Sequence, residues 1–260
     1  DLDHFGDSAL YTMPRRWTQA AARYGEDTLK AYGILPWHIQ RMYFRLKDAF
    51  MVKDPEQILR MSAEIGHYIA DAHVPLHTTE NYNGQLTGQE GIHAFWESRL
   101  PELFSADYDF FVGKATYIQD PASAAWKAIE SSHKAIDSVL TFEKTLTGKS
   151  GDKKYSFEIK GRQTLKVYSR EYATEYHRLL NGMVERQMRA AVKCIGDFWY
   201  SAWVDAGQPD IKSLINFKPS AENLQKRRDE VRQWHRSRIP SREHENQPAD
   251  SASHYLGEHK

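Results

Sequence analysis

The sequence predicts an all-α fold, in which a single helical domain is followed by a polar C-terminal tail. Apolar residues recur at helical spacing over residues 35–52 and again over residues 54–75. No internal repeat is present, and strand-like segments do not alternate with helical ones. A parallel sheet built from strand–helix–strand units is therefore not expected.

The best-defined helices are predicted in the first half of the chain. Residues 14–33 are expected to form two short helices around Gly25. Asp54 followed by Pro55 is typical of a helix start, because the aspartate caps the first backbone N–H groups and proline suits the first helical position. Pro75 is expected to stop that helix.

The remaining elements are predicted from turn signals, polar stretches and further apolar periodicity. In chain order they are a polar loop over 78–91, a helix from about Gln89 to Leu100, a helix from Asp120 to beyond Val139, a polar excursion over 143–166 with a short strand at Tyr155 to Ile159, a long helix from about Thr164 to Ala206, and a helix near Ala221 to Arg236. The helical domain is expected to span residues 1–218, with 219–260 as a polar tail whose last twenty residues are disordered.

Composition excludes several classes of protein. The 260 residues carry 35 basic and 35 acidic side chains, so bulk charge does not favour nucleic acid or an anionic membrane. No apolar run approaches the roughly 18 residues that a transmembrane helix needs. Cys194 is the only cysteine, which excludes an internal disulfide and a thiolate metal cage.

Histidines and carboxylates concentrate in one part of the chain, where four of the twelve histidines fall within 31 positions. His67 and Asp71 stand four residues apart on one predicted helix, and His93 and Glu97 repeat this arrangement on another. Residues four apart share a helix face, and one such pair is common on protein surfaces. Two pairs, with His77 at the helix break between them, are better explained by a metal site.

The ligand types favour zinc, with manganese or iron as alternatives. His77, His93 and Glu97 form a set of three protein ligands with an open position, which is typical of catalytic zinc. His67 and Asp71 are then expected to serve a neighbouring ion, with Asp71 able to bridge. Two ions about 3.5–4 Å apart can clamp both oxygens of a displacement at phosphorus, so phosphoester hydrolysis is the predicted reaction.

Three segments resemble the superfamily of zinc-dependent phospholipase C and S1–P1 nucleases, over roughly residues 1–215. They are GHYIADAHVPLH (Gly66 to His77), GIHAFWESRL (Gly91 to Leu100) and FWYSAWVDAGQP (Phe198 to Pro209). The resemblance implies a helical fold of the phospholipase C and P1 nuclease type, with three zinc ions at the bottom of a cleft. It also implies a metal-bridging hydroxide that attacks phosphorus, and a secreted or periplasmic protein.

The resemblance assigns a role to each of the five residues. His67 and Asp71 match two of the family's ligands, and Asp71 matches the one that bridges two zincs and orients the hydroxide. His77 matches the next ligand. His93 and Glu97 match the pair that completes the shell of the third zinc.

The resemblance is incomplete at the start of the chain. The family's cluster also uses an N-terminal Trp, two further His residues and an Asp, and none of these is recognisable here. The opening DLDHFG looks like the segment that follows the second of those histidines. We therefore expect an N-terminally truncated enzyme with one complete zinc shell and poor activity, and three tightly bound zincs would contradict this.

The substrate is left open between two branches of the superfamily. The spacing of Asp71, His73 and His77 around Pro75 leans towards nucleases of single-stranded nucleic acid, whereas Glu97 leans towards phospholipase C acting on phospholipid headgroups. Two further alternatives are another helical metallohydrolase that uses the same pairs with fewer ions and a non-catalytic helical metal-binding protein. Tyr82 and Asn81, in the polar loop, are candidates for contact with the substrate, Tyr82 because bases stack on aromatic rings.

Overall fold

The structure is a computed structural model that describes residues 1–6, 8–161, 163–214, 217–218 and 221–236. Most of these residues lie in helices, as predicted. The α-helices are α1 (Ala9–Thr12), α2 (Trp17–Tyr24), α3 (Glu26–Tyr32), α4 (Leu35–Met51), α5 (Pro55–Ala72), α6 (Ile92–Ala94), α7 (Leu100–Phe104), α8 (Pro121–His133), α9 (Ile136–Ser150), α10 (Arg170–Leu179), α11 (Met183–Asp205) and α12 (Ala221–Arg236). A π-helical segment, Phe95–Arg99, joins α6 to α7.

One antiparallel two-stranded sheet is the only sheet in the described part of the chain. Its strands are β1 (Tyr155–Lys160) and β2 (Gln163–Tyr168), paired from Tyr155 opposite Tyr168 to Lys160 opposite Gln163. The predicted strand at Tyr155 to Ile159 is thereby confirmed, and its partner strand was not predicted.

The chain divides into two compact units, Asp1–Pro209 and Asp210–Lys260. The first contains α1 to α11 and the sheet, and the second contains α12, which confirms the helix predicted near Ala221 to Arg236. The predicted boundary after residue 218 stays a prediction. The disorder expected in the last twenty residues falls outside the described residues.

The first hydrophobic core is centred on α4 and α5, with α8 and α11 packed against them. Each of the two central helices buries one stripe at helical spacing, and Ile39, Leu46, Ile65 and Ile69 are at most 1% exposed. Each such fully buried side chain contributes about 1.5–3 kcal/mol relative to an exposed one. The apolar periodicity therefore predicted both helices correctly.

The helix ends follow the capping rules. The Asp54 side chain accepts hydrogen bonds from the N–H groups of Glu56 and Gln57, at 3.0 and 3.1 Å. This satisfies two of the N–H groups that the start of α5 leaves without a helical partner. Asp120 caps α8 in the same way through the Ser123 N–H.

A second hydrophobic core surrounds the π-helical segment. Phe95 is fully buried, and its ring stacks on Tyr168 and Tyr176 with centroid distances of 3.9 and 5.0 Å. Stacking of aromatic rings adds to the hydrophobic contribution of each ring. It fixes the helix on which two of the predicted metal ligands lie.

Two helix predictions were wrong in their extent. The segment expected as one helix from Thr164 to Ala206 is β2, α10 and α11, with a break at Asn181 and Gly182, whose φ angles of 48° and 73° are left-handed. Left-handed residues cannot continue an α-helix. The helix opened by Asp120 divides into α8 and α9, and α9 continues through Ser150 into the stretch predicted as a polar excursion.

Candidate metal centre

His77 is positioned by the break after α5. That helix ends at Ala72, and Pro75 opens a 3-10 turn over Pro75–Thr78. The Thr78 hydroxyl donates to the Pro75 carbonyl at 2.8 Å, which closes the turn on its own first residue. The side chain of His77 is only 17% exposed, and its imidazole faces Glu97.

His93 and Glu97 lie on the continuous helix formed by α6, the π-helical segment and α7. Within the π-helical segment the Leu100 N–H donates to the carbonyl of Phe95, five residues back. Pro101 has no N–H to donate to the Glu97 carbonyl, so the usual α-helical bond at this turn is missing and the wider turn is tolerated. π-Helical turns inside α-helices are frequent at functional sites.

The side chains of His77, His93 and Glu97 converge on one point. The His93 Nε2 lies 2.8 Å from Glu97 Oε2, and the His77 Nε2 lies 3.5 Å from the same oxygen. The two imidazole rings are perpendicular, with centroids 4.8 Å apart. One ligand atom from each of the three residues lies within 4.8 Å of the others, and this is the one group of three potential ligands among the described residues.

A backbone carbonyl orients His93. The His93 Nδ1 lies 3.3 Å from the carbonyl oxygen of Tyr82. Since a carbonyl can only accept, Nδ1 carries a proton in that contact, and Nε2 is the nitrogen that faces Glu97 and can bind a metal once it carries no proton. Metal-binding histidines are typically held in this way by a second partner.

The carboxyl group of Glu97 is held in its ionised form. Burial alone raises the pKa of Glu97, but hydrogen bonds from His77 and His93, and their charge when protonated, outweigh this effect and hold the pKa well below its usual range. A carboxylate that stays ionised beside two imidazoles is the donor set that a divalent cation accepts.

The structure brings together three of the five predicted ligands. Among the described residues, His67 and Asp71 do not join the group and form a separate pair, with 3.5 Å between His67 Nε2 and Asp71 Oδ2. They lie on α5, before the chain turns at Pro75 towards His77. His67 is 68% exposed, whereas Asp71 is 19% exposed. Their predicted role as ligands of a neighbouring ion stays a prediction.

The two candidate substrate residues lie in the loop beside this group. The Tyr82 ring is half-buried and meets the ring of His93 edge-on, with centroids 6.2 Å apart. Asn81 is buried, and its side chain accepts from the Leu86 N–H and donates to the Thr87 hydroxyl. Tyr82 therefore lies next to the candidate centre, whereas the side chain of Asn81 stabilises the loop. Contact of either residue with a substrate stays a prediction.

The loop is anchored by a buried network that the sequence analysis did not anticipate. The Gln89 amide donates to Glu143 Oε2 at 2.5 Å and to the Leu140 carbonyl at 2.9 Å. Glu143 is completely buried, and its other oxygen binds Lys154 at 2.8 Å and the Tyr172 hydroxyl at 2.7 Å. This network ties the loop that supplies the Tyr82 carbonyl to α9 and α10.

Gly84 is required by the geometry of this loop, and its replacement by alanine is expected to destabilise the protein by more than about 1 kcal/mol. Its φ is +77°, and a Cβ would overlap the backbone carbonyl group of Gln89. Gly88→Ala is the matched control, since Gly88 has a similar φ of +69° and open space around it. Urea denaturation gives the free energy of unfolding of both variants. The backbone strain is common to both, so the additional loss of stability in Gly84→Ala measures the overlap with Gln89. Equal losses of stability in the two variants would contradict this overlap.

No helix in the described part of the chain has the combination of length and hydrophobicity that crossing a membrane requires. Comparisons with protein-family models, with curated proteins and with solved structures found no match to this chain.

Proposed function

We propose that this chain is a zinc-dependent phosphodiester hydrolase with a fold of the phospholipase C and P1 nuclease type, acting on single-stranded nucleic acid. The observation that carries the proposal is the convergence of His77, His93 and Glu97. The mostly helical fold supports it, as do the sequence segments around these residues. On this proposal the protein works outside the cytoplasm, because the family it resembles is exported.

The donor set fits zinc. Ligand atoms about 2.0–2.1 Å from a tetrahedral zinc lie about 3.3 Å from one another. The observed separations of 2.8 and 3.5 Å, from His93 and His77 to Glu97, bracket that distance. All three ligand atoms lie within 4.8 Å of one another, so side-chain movements of at most about 1–2 Å bring them to that distance, and a fourth position stays open for water or substrate.

A zinc ion held there would supply Lewis acidity towards a phosphoryl oxygen and would activate water near neutral pH. The residues of the chain contribute the rest. Tyr82 fixes the proton of His93 through its carbonyl, and Glu97 supplies the negative charge. The ring of Tyr82, at the edge of the group, offers a surface on which a base can stack. His67 and Asp71 are proposed to serve further ions of the family's cluster.

Phospholipase C activity is the second candidate, favoured by Glu97 in a position where the nuclease branch tends to have Asp. A non-catalytic helical metal-binding protein would need only the same three ligands. The nuclease is preferred to this last reading because three ligands leave a coordination position open, as in catalytic sites and not in structural ones.

Hydrolysis is tested with single-stranded DNA, RNA and phosphatidylcholine vesicles, each incubated with the zinc-loaded protein. Slow cleavage of nucleic acid that EDTA abolishes and zinc restores is the expected result. His77→Ala should abolish it, because the variant loses one of three ligands. Cleavage of phosphatidylcholine alone would select the phospholipase, and zinc binding without cleavage of any substrate would contradict the enzyme and favour the binding protein.

A further inference from the structure

The β-hairpin of β1 and β2 presents apolar side chains to solvent. Phe157 and Ile159 are 73% and 80% exposed. They are two residues apart in one strand, so they lie on the same face of the hairpin. Tyr155 shares that face at its inner end, where its ring meets Tyr168 with centroids 5.0 Å apart. Neighbouring exposed apolar residues on one face form a candidate surface for contact with a partner when other groups around them fit the same partner.

The sequence of the hairpin and its flanks is basic. From Lys153 to Lys166 the sequence contains four lysines and one arginine against one glutamate, although the chain as a whole has no net charge. That glutamate, Glu158, is paired with Arg99. Lys166 is exposed, lies opposite Phe157 in the strand pairing, and holds its Nζ 4.2 Å above the Tyr155 ring.

Two of the other lysines are engaged within the protein. Lys154 binds the buried Glu143, and Lys153 lies 3.6 Å from Glu171 in a fully solvated pair. Glu143 and Glu171 balance the charges of these two lysines, and Arg99 balances Glu158, so the remaining positive charge of the segment belongs to Lys160, Arg162 and Lys166. The exposed face thus combines Phe157, Ile159 and Lys166 with a local excess of positive charge.

We propose that this hairpin docks the protein on an anionic lipid surface, with Phe157 and Ile159 entering the interfacial region and Lys166 meeting lipid headgroups. Apolar side chains gain from burial among acyl chains, and nearby lysines are attracted to acidic headgroups. Lys166 can bury its aliphatic stem while its ammonium group stays at the headgroups.

Two other occupants fit the hairpin less well. Single-stranded nucleic acid binds by stacking bases on aromatic rings, and Ile159, the most exposed apolar residue of the face, has no ring. A second copy of the chain, added edge to edge, would bring two copies of the basic segment 153–166 together, which like charges oppose. A lipid surface uses the apolar and the basic groups at the same time.

The hairpin is fixed to the helix that carries two of the three residues of the candidate metal centre, His93 and Glu97. Arg99 lies two residues beyond Glu97, donates to the Tyr168 carbonyl at 3.2 Å and pairs with Glu158 on β1. Docking would therefore bring the helix of Glu97 to the membrane surface. This consequence rests on the proposed function and favours its phospholipase branch, whereas the docking surface itself does not depend on a metal.

The docking is tested by sedimentation of the full chain with phosphatidylcholine vesicles, prepared with and without phosphatidylserine, in the presence of EDTA. We expect binding that requires phosphatidylserine and weakens as salt is added. Replacement of both Phe157 and Ile159 by serine should lower vesicle affinity by about tenfold or more, because both apolar side chains leave the interface. Lys166→Glu, introduced into the unmodified chain, should also weaken vesicle binding, and its effect should be largest at low salt, where charges are least screened.

The matched control replaces Val52 and Leu59 by serine, since both are exposed apolar residues outside the hairpin, at 73% and 67%. The control should bind vesicles like the unmodified chain, and thermal melting should show all variants folded. Absence of vesicle binding, or equal losses in the hairpin and control variants, would overturn the proposal. So would a hairpin that binds single-stranded DNA, or that forms a dimer, without binding vesicles.

Because EDTA is present throughout, the result does not depend on zinc. Vesicle binding without EDTA-sensitive hydrolysis would leave the docking surface standing and reject the proposed enzyme. EDTA-sensitive hydrolysis without vesicle binding would support the proposed enzyme and reject the docking surface.

Discussion

Replacement of His93 by alanine is expected to abolish tight zinc binding by this chain. His93 lies 2.8 Å from Glu97 and is the ligand whose Nδ1 meets the Tyr82 carbonyl. Removing it leaves two ligands, so affinity should fall by more than about a hundredfold, since loss of even an outer partner of a metal ligand typically costs 10–100-fold. Calorimetric titration with zinc measures the change directly.

Thermal unfolding gives a second readout of the same variant. A ligand that binds only the folded state stabilises it by about 2.7 kcal/mol when present at a hundred times its dissociation constant. Zinc should therefore raise the melting temperature of the unmodified chain and leave that of His93→Ala unchanged.

His67→Ala is the matched control, because His67 also stands four residues before a carboxylate but lies outside the group of three. Its affinity for the first zinc should stay within a few-fold of the unmodified chain. Equal losses in the two histidine variants would reject the assignment of the ligands.

Replacement of Glu143 by leucine is expected to cost about 3–5 kcal/mol of stability, the range for breaking a buried ion pair by removing one partner. Glu143 is completely buried and accepts hydrogen bonds from Gln89, Thr147 and Tyr172 while pairing with Lys154. The leucine removes every acceptor of this set and leaves the ammonium group of Lys154 at a largely buried position. Urea denaturation followed by tryptophan fluorescence measures the loss.

Glu171→Leu is the control for this substitution. Glu171 pairs with Lys153 at 3.6 Å, and both side chains are 75% exposed. An exposed pair is worth about 0–1 kcal/mol, so this variant should lose little stability. If Glu143→Leu lowers the free energy of unfolding as little as Glu171→Leu does, the buried network does not stabilise the fold.

The pH dependence of stability gives a further test with Glu143→Gln. Burial raises the pKa of Glu143, but hydrogen bonds from Lys154, Gln89 and Tyr172 outweigh this, so the net pKa in the folded protein is lowered. A lowered folded-state pKa contributes stability above the unfolded-state pKa, and this contribution is lost as pH falls through the folded-state value. The unmodified chain and Glu143→Gln should therefore differ most near neutral pH and converge in acid, and a constant difference would contradict this.

The group of three potential metal ligands could be predicted from the sequence only in part, because convergence is a tertiary property. The spacing of His93 and Glu97 on one helix, and the position of His77 just beyond Pro75, were sufficient to identify the group of three. The same spacing in His67 and Asp71 led to the same expectation. Helical spacing decides which residues share a face, but not which faces meet.

The fold could be predicted wherever local signals were strong. α4 and α5 follow from apolar periodicity and from the Asp54 cap, both of which act within a few residues. The buried Glu143 could not be predicted, because its partners come from 11, 29 and 54 residues away along the chain, at Lys154, Tyr172 and Gln89.

The break between α10 and α11 is different, because a local signal was present. Asn181 followed by Gly182 is a strong turn signal, and both residues adopt the left-handed backbone that this dipeptide favours. The apolar spacing on either side had indicated a continuous helix.

Anomalous diffraction at the zinc edge, from crystals of the zinc-loaded chain, tests the central claim most directly. We expect an anomalous peak bonded to the Nε2 atoms of His77 and His93 and to the carboxylate of Glu97. A chain that crystallises after zinc loading with no peak at these three side chains, or with zinc bound only at other residues, would contradict the account.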